Sequence, residues 1–337
     1  MQKKYKKESA DNNPIKNRIV EGLTITIVLF LIIKHYNVLE IVPAYYQDEV
    51  TDYFIGFCPG CKTEFLTILN QSKEVKCAFY SLNDPDVIKV LYSKNGEVKV
   101  FHSNFKSMLD LVKNLNESNT TVKYIPVYSY GLMHHKFCIL DNRYIILGSL
   151  NPTQTGFEQS NDFLVIPSER LVKELNKEYL YLGNTFYRQD YVNKLIALLY
   201  FKRKELLICR KDLCKERLMY EISNAKDRIW FAQFLITDND VAELLIEKSQ
   251  TLDVKGIINK ENINLKGSDY YKIKNFTKPC KDIHLKIWII DNKTITGSLN
   301  PSENGFTKND ELMFIIKNKE AVNEYTSQFI ELFNKIC

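Results

Sequence analysis

The sequence predicts an α/β protein of two homologous halves, each a mostly parallel sheet flanked by helices, packed about a pseudo-dyad with one shared site. Three observations carry this expectation. The segment HHKFCILDNRYIILGSLNP at 134–152 recurs as HLKIWIIDNKTITGSLNP at 284–301, and self-similarity of this kind marks a duplicated unit. Around both copies, strand-like and helix-like hydrophobic patterns alternate, as α/β units require. The length of 337 residues, 45% apolar and 26% charged, suffices for two domain-sized cores. This composition excludes intrinsic disorder and collagen-like repeats and argues against a multispanning membrane protein.

The chain opens on a basic tail, residues 1–18, where Lys3, Lys4, Lys6, Lys7, Lys16 and Arg18 face only Glu8 and Asp11. This tail holds +4 of the formal charge of +5, so the remaining 319 residues carry only +1. Next comes Gly22 to Ile33, a largely apolar run of 12 residues. A span of hydrocarbon needs about 20 residues, and continuing to Val42 supplies them if Lys34 snorkels to the interface. Residues 19–42 are therefore expected to be a transmembrane signal anchor. A cleaved signal peptide ending near Val42-Pro43-Ala44 and a buried N-terminal helix are the alternatives. Positive charge before the segment, with Glu40, Asp48, Glu49 and Asp52 after it, places the tail inside and the body on the extracytoplasmic side.

The first half is expected over 52–185. A helix ends near Gln71-Ser72-Lys73, and VKCAFYSLNDPDVIKVL (75–91) reads as a strand followed by an amphipathic helix. The motif strands, the run Asn161 to Ile166 and a helix over 168–182 follow. Residues 186–204 read as a linker helix. The second half, 205–337, repeats the order: a helix ending near Ser223-Asn224-Ala225-Lys226, RIWFAQFLITDNDVAELL (228–245), the motif, Asn309 to Phe314, and a helix over 318–335.

Each motif reads His-x-Lys-x4-Asp, then Gly-Ser-x-Asn. The residues are His134, Lys136, Asp141, Gly148, Ser149 and Asn151 in one half, and His284, Lys286, Asp291, Gly297, Ser298 and Asn300 in the other. On a strand, residues i and i+2 share a face. His134 and Lys136 therefore project together while His135 turns away, and Ser149 pairs with Asn151 in the same manner. Asp-Asn at 141–142 and 291–292 suits the intervening turns. Asp141 and Asp291 stand at odd spacing from the lysines, which suggests a turn-fixing role. One site thus gathers an imidazole, an ammonium, a hydroxyl and an amide from each half.

Such a set suits a phosphodiester. Lysine, serine and asparagine donate to the non-bridging oxygens, and two imidazoles divide attack from protonation of the leaving oxygen. A carboxylate on Nδ1 would fix each ring's tautomer, and Asp162 and Glu311 are the equivalently placed candidates. A non-catalytic phosphate-binding module is the alternative from another class.

On these motifs the chain resembles the phospholipase D superfamily, with two HKD motifs in one chain, over about residues 52–337. It is similar to the compact branch of nucleases and cardiolipin hydrolases. The resemblance implies a metal-independent phosphodiesterase, a phosphohistidine intermediate, no cofactor and a monomeric active unit. It implies a catalytic set of His134, Lys136, Asp141, His284, Lys286 and Asp291. Within that set it makes His134 the nucleophile and His284 the general acid, roles that could be exchanged, and it puts Lys136, Lys286, Asn151 and Asn300 on the phosphate. One departure is Asp162, where a glutamate is common and reaches further. The expected substrate is a phospholipid, with a nucleic acid as the alternative; a body of nearly neutral charge lacks the basic excess of most nucleic-acid readers. Transfer of the phosphatidyl group to an alcohol is a variant of the lipid reading.

Eight cysteines remain. Cys58-Cys61 and Cys209-Cys214 precede matching helices, and local disulfides suit an extracytoplasmic body. Joint zinc ligation and free thiols are the alternatives. Cys77 and Cys138, within apolar strands, are expected to be plain core residues.

Overall fold

A computed structural model describes residues 52–101, 120–124, 131–182, 205–209 and 212–335. The basic tail, the 19–42 segment and the 186–204 helix expected from the sequence lie outside the described residues. Among the described residues, no helix is long and apolar enough to cross a membrane.

The duplication appears as two seven-stranded sheets. The first contains β1 (Phe54–Cys58), β2 (Glu74–Phe79), β3 (Asn95–Val100), β4 (Thr120–Tyr124), β5 (Lys136–Leu140), β6 (Tyr144–Gly148) and β7 (Asn161–Pro167), in the order β1-β7-β6-β5-β2-β3-β4. The second contains β8 (Leu206–Cys209), β9 (Arg228–Gln233), β10 (Asp253–Asn259), β11 (Thr277–Cys280), β12 (Lys286–Ile290), β13 (Lys293–Gly297) and β14 (Glu311–Ile316), in the order β11-β10-β9-β12-β13-β14-β8. The expected two-half α/β architecture is present, but the sheets are mixed. Only β2–β3 and β3–β4 in one, and β9–β10 and β10–β11 in the other, pair in parallel. The motif strands pair antiparallel because only a tight turn separates β5 from β6 and β12 from β13, too short for a parallel crossover. Asp141, Asn142 and Asp291 accept the left-handed backbone of those turns, at φ of +52°, +50° and +52°, as aspartate and asparagine do at low cost.

The helices fall in three layers. On the outer side of the first sheet lie α1 (Lys62–Gln71) and α2 (Pro85–Tyr92), which pack Phe65, Leu69, Val87 and Leu91 against Cys138 and Leu140. After the short α3 (Gln154–Glu158), α4 (Glu169–Tyr181) enters a central layer. On the outer side of the second sheet lie α5 (Leu213–Ser223), α6 (Asn239–Ser249) and the short α7 (Tyr270–Ile273). The last helix, α8 (Lys319–Asn334), joins α4 in the core between the sheets. Strand alternation feeds both sides: Phe137 and Ile139 point into the central core, Cys138 and Leu140 outward.

The two halves repeat even their surface supports. Asp84 caps α2 and pairs with Lys62 at 2.8 Å, while Asp238 caps α6 and pairs with Lys215 at 2.8 Å. Across the seam, one contact is made twice with the halves exchanged: Met133 bridges Asp310, and Ser160 bridges Ile283. A Cβ on Gly131 would lie 1.9 Å from the carbonyl oxygen of Lys308, so only glycine lets the strands close there.

Cys58–Cys61 and Cys209–Cys214 form disulfides, each closing the turn between an edge strand and its helix. Cys280 is disulfide-bonded as well. Cys77 and Cys138 correct the expectation of plain core thiols: they are joined to each other, because β2 and β5 pair with these two residues directly opposite. This bond, between residues 61 apart, fastens the strand that carries Lys136 and that His134 leads into. In the chain-entropy picture a loop of that length contributes about 4 kcal/mol. The double variant Cys77→Ala/Cys138→Ala is therefore expected to unfold at clearly lower urea concentration than the parent, by an amount in the range of ~2–4 kcal/mol.

Candidate active site

Both motif histidines sit at the seam, just ahead of the strands that carry their lysines. Parallel ladders place them. The His134 N–H donates to the Asp310 carbonyl at 3.0 Å, and the His284 N–H donates to the Ser160 carbonyl at 2.9 Å. Each half thereby hands its histidine to the other. The aromatic ring closing the neighbouring strand packs edge-on to each imidazole, Tyr80 on His134 at 4.8 Å and Phe234 on His284 at 5.0 Å. Neither aromatic was singled out from the sequence. His135 turns away, as strand alternation requires, and its Nε2 meets Glu178 on α4 at 2.9 Å.

Lys136 and Lys286 are both 2% exposed and donate to the carbonyls of His134 and His284, at 2.8 and 2.7 Å. The cost of burying two ammonium groups is visible in their acidity. Burial holds Lys136 well below the usual lysine range; Lys286 lowers it further and Glu311 opposes the shift. Burial likewise brings Lys286 to about 7 against the pull of Glu311 and Asp162. Burial, then the two ammonium groups, push both His134 and His284 well below the ordinary imidazole value. Burial raises Glu311 to about 7, while Lys136 favours its ionised form. A phosphate anion would meet two desolvated lysines and favour the charged form of each.

The groups on the two Nδ1 atoms differ. Glu311, from the second half, lies 2.8 and 2.9 Å from His134 Nδ1 through its two oxygens. On His284 the structure corrects the expectation of Asp162: the residue at Nδ1 is Asn161, whose Oδ1 is at 2.7 Å. Asp162 spends its oxygens elsewhere, accepting from Ser149 (Oγ, 2.6 Å; N, 3.1 Å), Thr296 (Oγ1, 2.6 Å) and Tyr325 (OH, 2.6 Å). Thr296 and Tyr325 come from β13 and α8, so this aspartate ties the halves together. Asn161, Thr296 and Tyr325 were not recognised in the sequence. The sequence match of Asn161-Asp162 with Asn309-Asp310 hides this, since in the strands it is Asn161 that stands where Glu311 does.

The serines are also corrected. Ser149 Oγ donates to Asp162, and Ser298 Oγ donates to Glu311 at 2.5 Å. Each hydroxyl accepts a backbone N–H in return, from Asp162 and Leu312. Their single protons hold carboxylates, leaving none for a phosphate. Asn151 and Asn300 each keep a buried Oδ1 with no partner among the described residues; that atom accepts, so a phosphate would be met by the amide's Nδ2 and not by this oxygen. Gly148 and Gly297 permit the close backbone approach: a Cβ there would lie 2.4 Å from the Asp162 carbonyl oxygen and 2.3 Å from that of Leu312.

Asp141 and Asp291 sit at the far ends of β5 and β12, away from the histidines. Asp141 accepts the N–H groups of Lys73 and Glu74, both at 2.8 Å, and Asp291 accepts those of Lys226, Asp227 and Arg228. They belong to the motif in sequence and to the scaffold in space. Their place in the catalytic set is corrected, and their turn-fixing geometry follows from the odd spacing.

The family model described as "Cardiolipin synthase, PLD-like domain" matches the chain twice, over residues 65–182 and 218–333. No curated protein matches the sequence. Among solved structures, phosphatidylserine synthase of Haemophilus influenzae Rd KW20 superposes with a TM-score of 0.61 at 10% identity, over 86% of this chain and 88% of that one. Polyphosphate kinase of Porphyromonas gingivalis gives 0.61 at 14% identity, over 83% of this chain; the chain spans about half (50%) of the kinase. The phospholipase D family member Nuc of Salmonella typhimurium gives 0.36 at 18% identity, over 40% of this chain and 94% of that one. At these identities the first two likenesses are of fold.

Proposed function

The chain belongs to the phospholipase D superfamily, as a cardiolipin-synthase-type PLD-like protein, and from that premise we propose that it cleaves phosphodiesters through a phosphohistidine, with a phospholipid as substrate. The observation that carries the mechanism is the engagement of both histidines at Nδ1, which leaves Nε2 of each ring as the reacting atom beside two buried ammonium groups.

In the first step, His134 Nε2 attacks phosphorus and forms the N–P bond as the bond to the leaving oxygen breaks. His284 Nε2 gives its proton to that oxygen. Lys136 and Lys286 stabilise the charge that grows on the non-bridging oxygens. In the second step His284 takes a proton from water, the water oxygen attacks phosphorus, and the N–P bond breaks. An alcohol in place of water gives transfer rather than hydrolysis.

Three features support lipid over nucleic acid: the family description, the near-neutral charge beyond the tail, and the apolar segment at 19–42. We read that segment as a single-pass anchor with the body on the extracytoplasmic side. The three disulfides between described cysteines favour an oxidising compartment and support this topology. The test presents the purified full chain, in detergent and EDTA, with phosphatidylcholine, cardiolipin, single- and double-stranded DNA and RNA. Lipid turnover is expected. Cleavage of nucleic acid alone would reverse the order of substrates, and no turnover of any would point to a phosphate-binding module.

A further inference from the structure

The two imidazoles are held by chemically different partners. His134 faces a carboxylate that can balance a positive charge on the ring. His284 faces a neutral amide, and the orientation of that amide is decided by its other end. Asn161 is 1% exposed, and its Nδ2 donates to the Gly156 carbonyl at 2.8 Å, so Oδ1 is the atom turned to His284. An oxygen there can only accept, which puts a proton on His284 Nδ1. The backbone behind it is firm: Asn161 pairs with Cys58 across β1 and β7, next to the Cys58–Cys61 disulfide. Glu311 pairs with Cys209 across β8 and β14 in the same fashion, next to Cys209–Cys214.

We propose that Asn161 is the positioning residue of the general acid: its side-chain oxygen holds His284 with the proton on Nδ1, and its neutrality, set against the carboxylate on His134, assigns proton donation to His284 and attack to His134. The inference rests on the phosphodiesterase reading given above and adds what divides the roles.

The charges facing His284 are consistent with this division. Lys286 lies two residues on with Nζ 3.5 Å from both ring nitrogens, and Lys136 and His134 approach from the other half. The Ser149 carbonyl opposes them, and Phe234 closes the remaining side. Asp162 and Glu311 act on Lys286; among the described residues no carboxylate bonds to the His284 ring. An imidazolium without a carboxylate surrenders its proton readily, and the phosphate of the substrate is the anion that lets the ring take one up.

Two variants test this by single-turnover cleavage across pH, each with an alkyl diester and with a p-nitrophenyl diester whose leaving group needs no proton. Asn161→Asp supplies a carboxylate and stabilises the imidazolium. The alkaline limb of the alkyl-diester rate is expected to move up by about one pH unit, with a plateau lowered roughly tenfold because the acid is weaker. Asn161→Ala is expected to lose about 10–100-fold on the alkyl diester and little on the p-nitrophenyl one. An unmoved limb in Asn161→Asp, or equal losses on both diesters in Asn161→Ala, would overturn the role of Asn161 while the parent enzyme stays active. A parent chain that turns over neither diester overturns the phosphodiesterase reading, and the inference with it. Should Asn161→Asp fail to fold, the comparison of the two diesters in Asn161→Ala decides.

Discussion

His134→Ala should abolish cleavage of every phosphodiester the parent accepts, alkyl and p-nitrophenyl alike, by about 10⁵-fold or more, the scale on which removing a covalent nucleophile is felt. The reason is positional. His134 is held by its backbone N–H on Asp310, by its Nδ1 on Glu311 and by the edge of Tyr80, so neighbouring water cannot inherit its place. His284→Ala should behave differently. An alkoxide leaving group without a general acid is expected to leave ~10²–10⁴-fold more slowly, whereas p-nitrophenolate needs no proton. The first step on the activated diester should therefore survive in His284→Ala and the second should stall, because no base remains to deprotonate water. A burst of p-nitrophenol close to one equivalent, with the phosphoryl group and its remaining ester substituent left on the protein at an acid-labile, base-stable position, would be the signature. Rapid quench followed by intact mass reads both. Full activity in either variant would sink the two-histidine mechanism.

The legible part of this site was the part governed by strand periodicity. A period of two puts His134 with Lys136, and His284 with Lys286, on one face, and the odd spacing of Asp141 and Asp291 sends them elsewhere. Duplication predicted the shared seam. What escaped was decided by register and by contact between halves. Ser149 and Ser298 are turned to Asp162 and Glu311 by strand neighbours 13 residues away, a pairing that no local pattern announces. Cys77 meets Cys138 only once β2 and β5 are aligned. Asn161, and not Asp162, reaches His284 because β7 sets Asn161 opposite Cys58 just as β14 sets Glu311 opposite Cys209; Asp162, one residue on, turns to Thr296 and Tyr325 instead. The mixed pairing of the sheets follows from turns whose shortness was plain in the sequence, although the helices between other strands drew attention to parallel crossovers.

Glu311 is where removing one charge should reach furthest. It is fully buried, holds His134 Nδ1, accepts from Ser298 and from Asn309 Nδ2 at 3.2 Å, and is the anion that opposes the loss of protons from Lys136 and Lys286. Glu311→Ala deletes the acceptor and the charge together. Its expected cost is about 10⁴-fold in turnover, the effect known when a carboxylate no longer fixes the tautomer of a catalytic histidine. Glu311→Gln separates the two functions, because an amide oxygen can still accept from Nδ1 while the charge is gone. The expected loss is smaller, roughly 10²-fold, since both histidines would then be held by amides. The sign of its pH effect follows from Lys286. With Glu311 present that lysine titrates at about 7; without it, nothing but Asp162 favours the cation, and the value falls. Phosphate binding needs the cation, so the alkaline limb of kcat/KM should move to lower pH in Glu311→Gln, opposite to the shift expected for Asn161→Asp. Measuring kcat/KM from pH 5 to 9 checks it: an unmoved limb would mean that Glu311 serves the histidine alone, and that the two lysines draw their charge from the substrate.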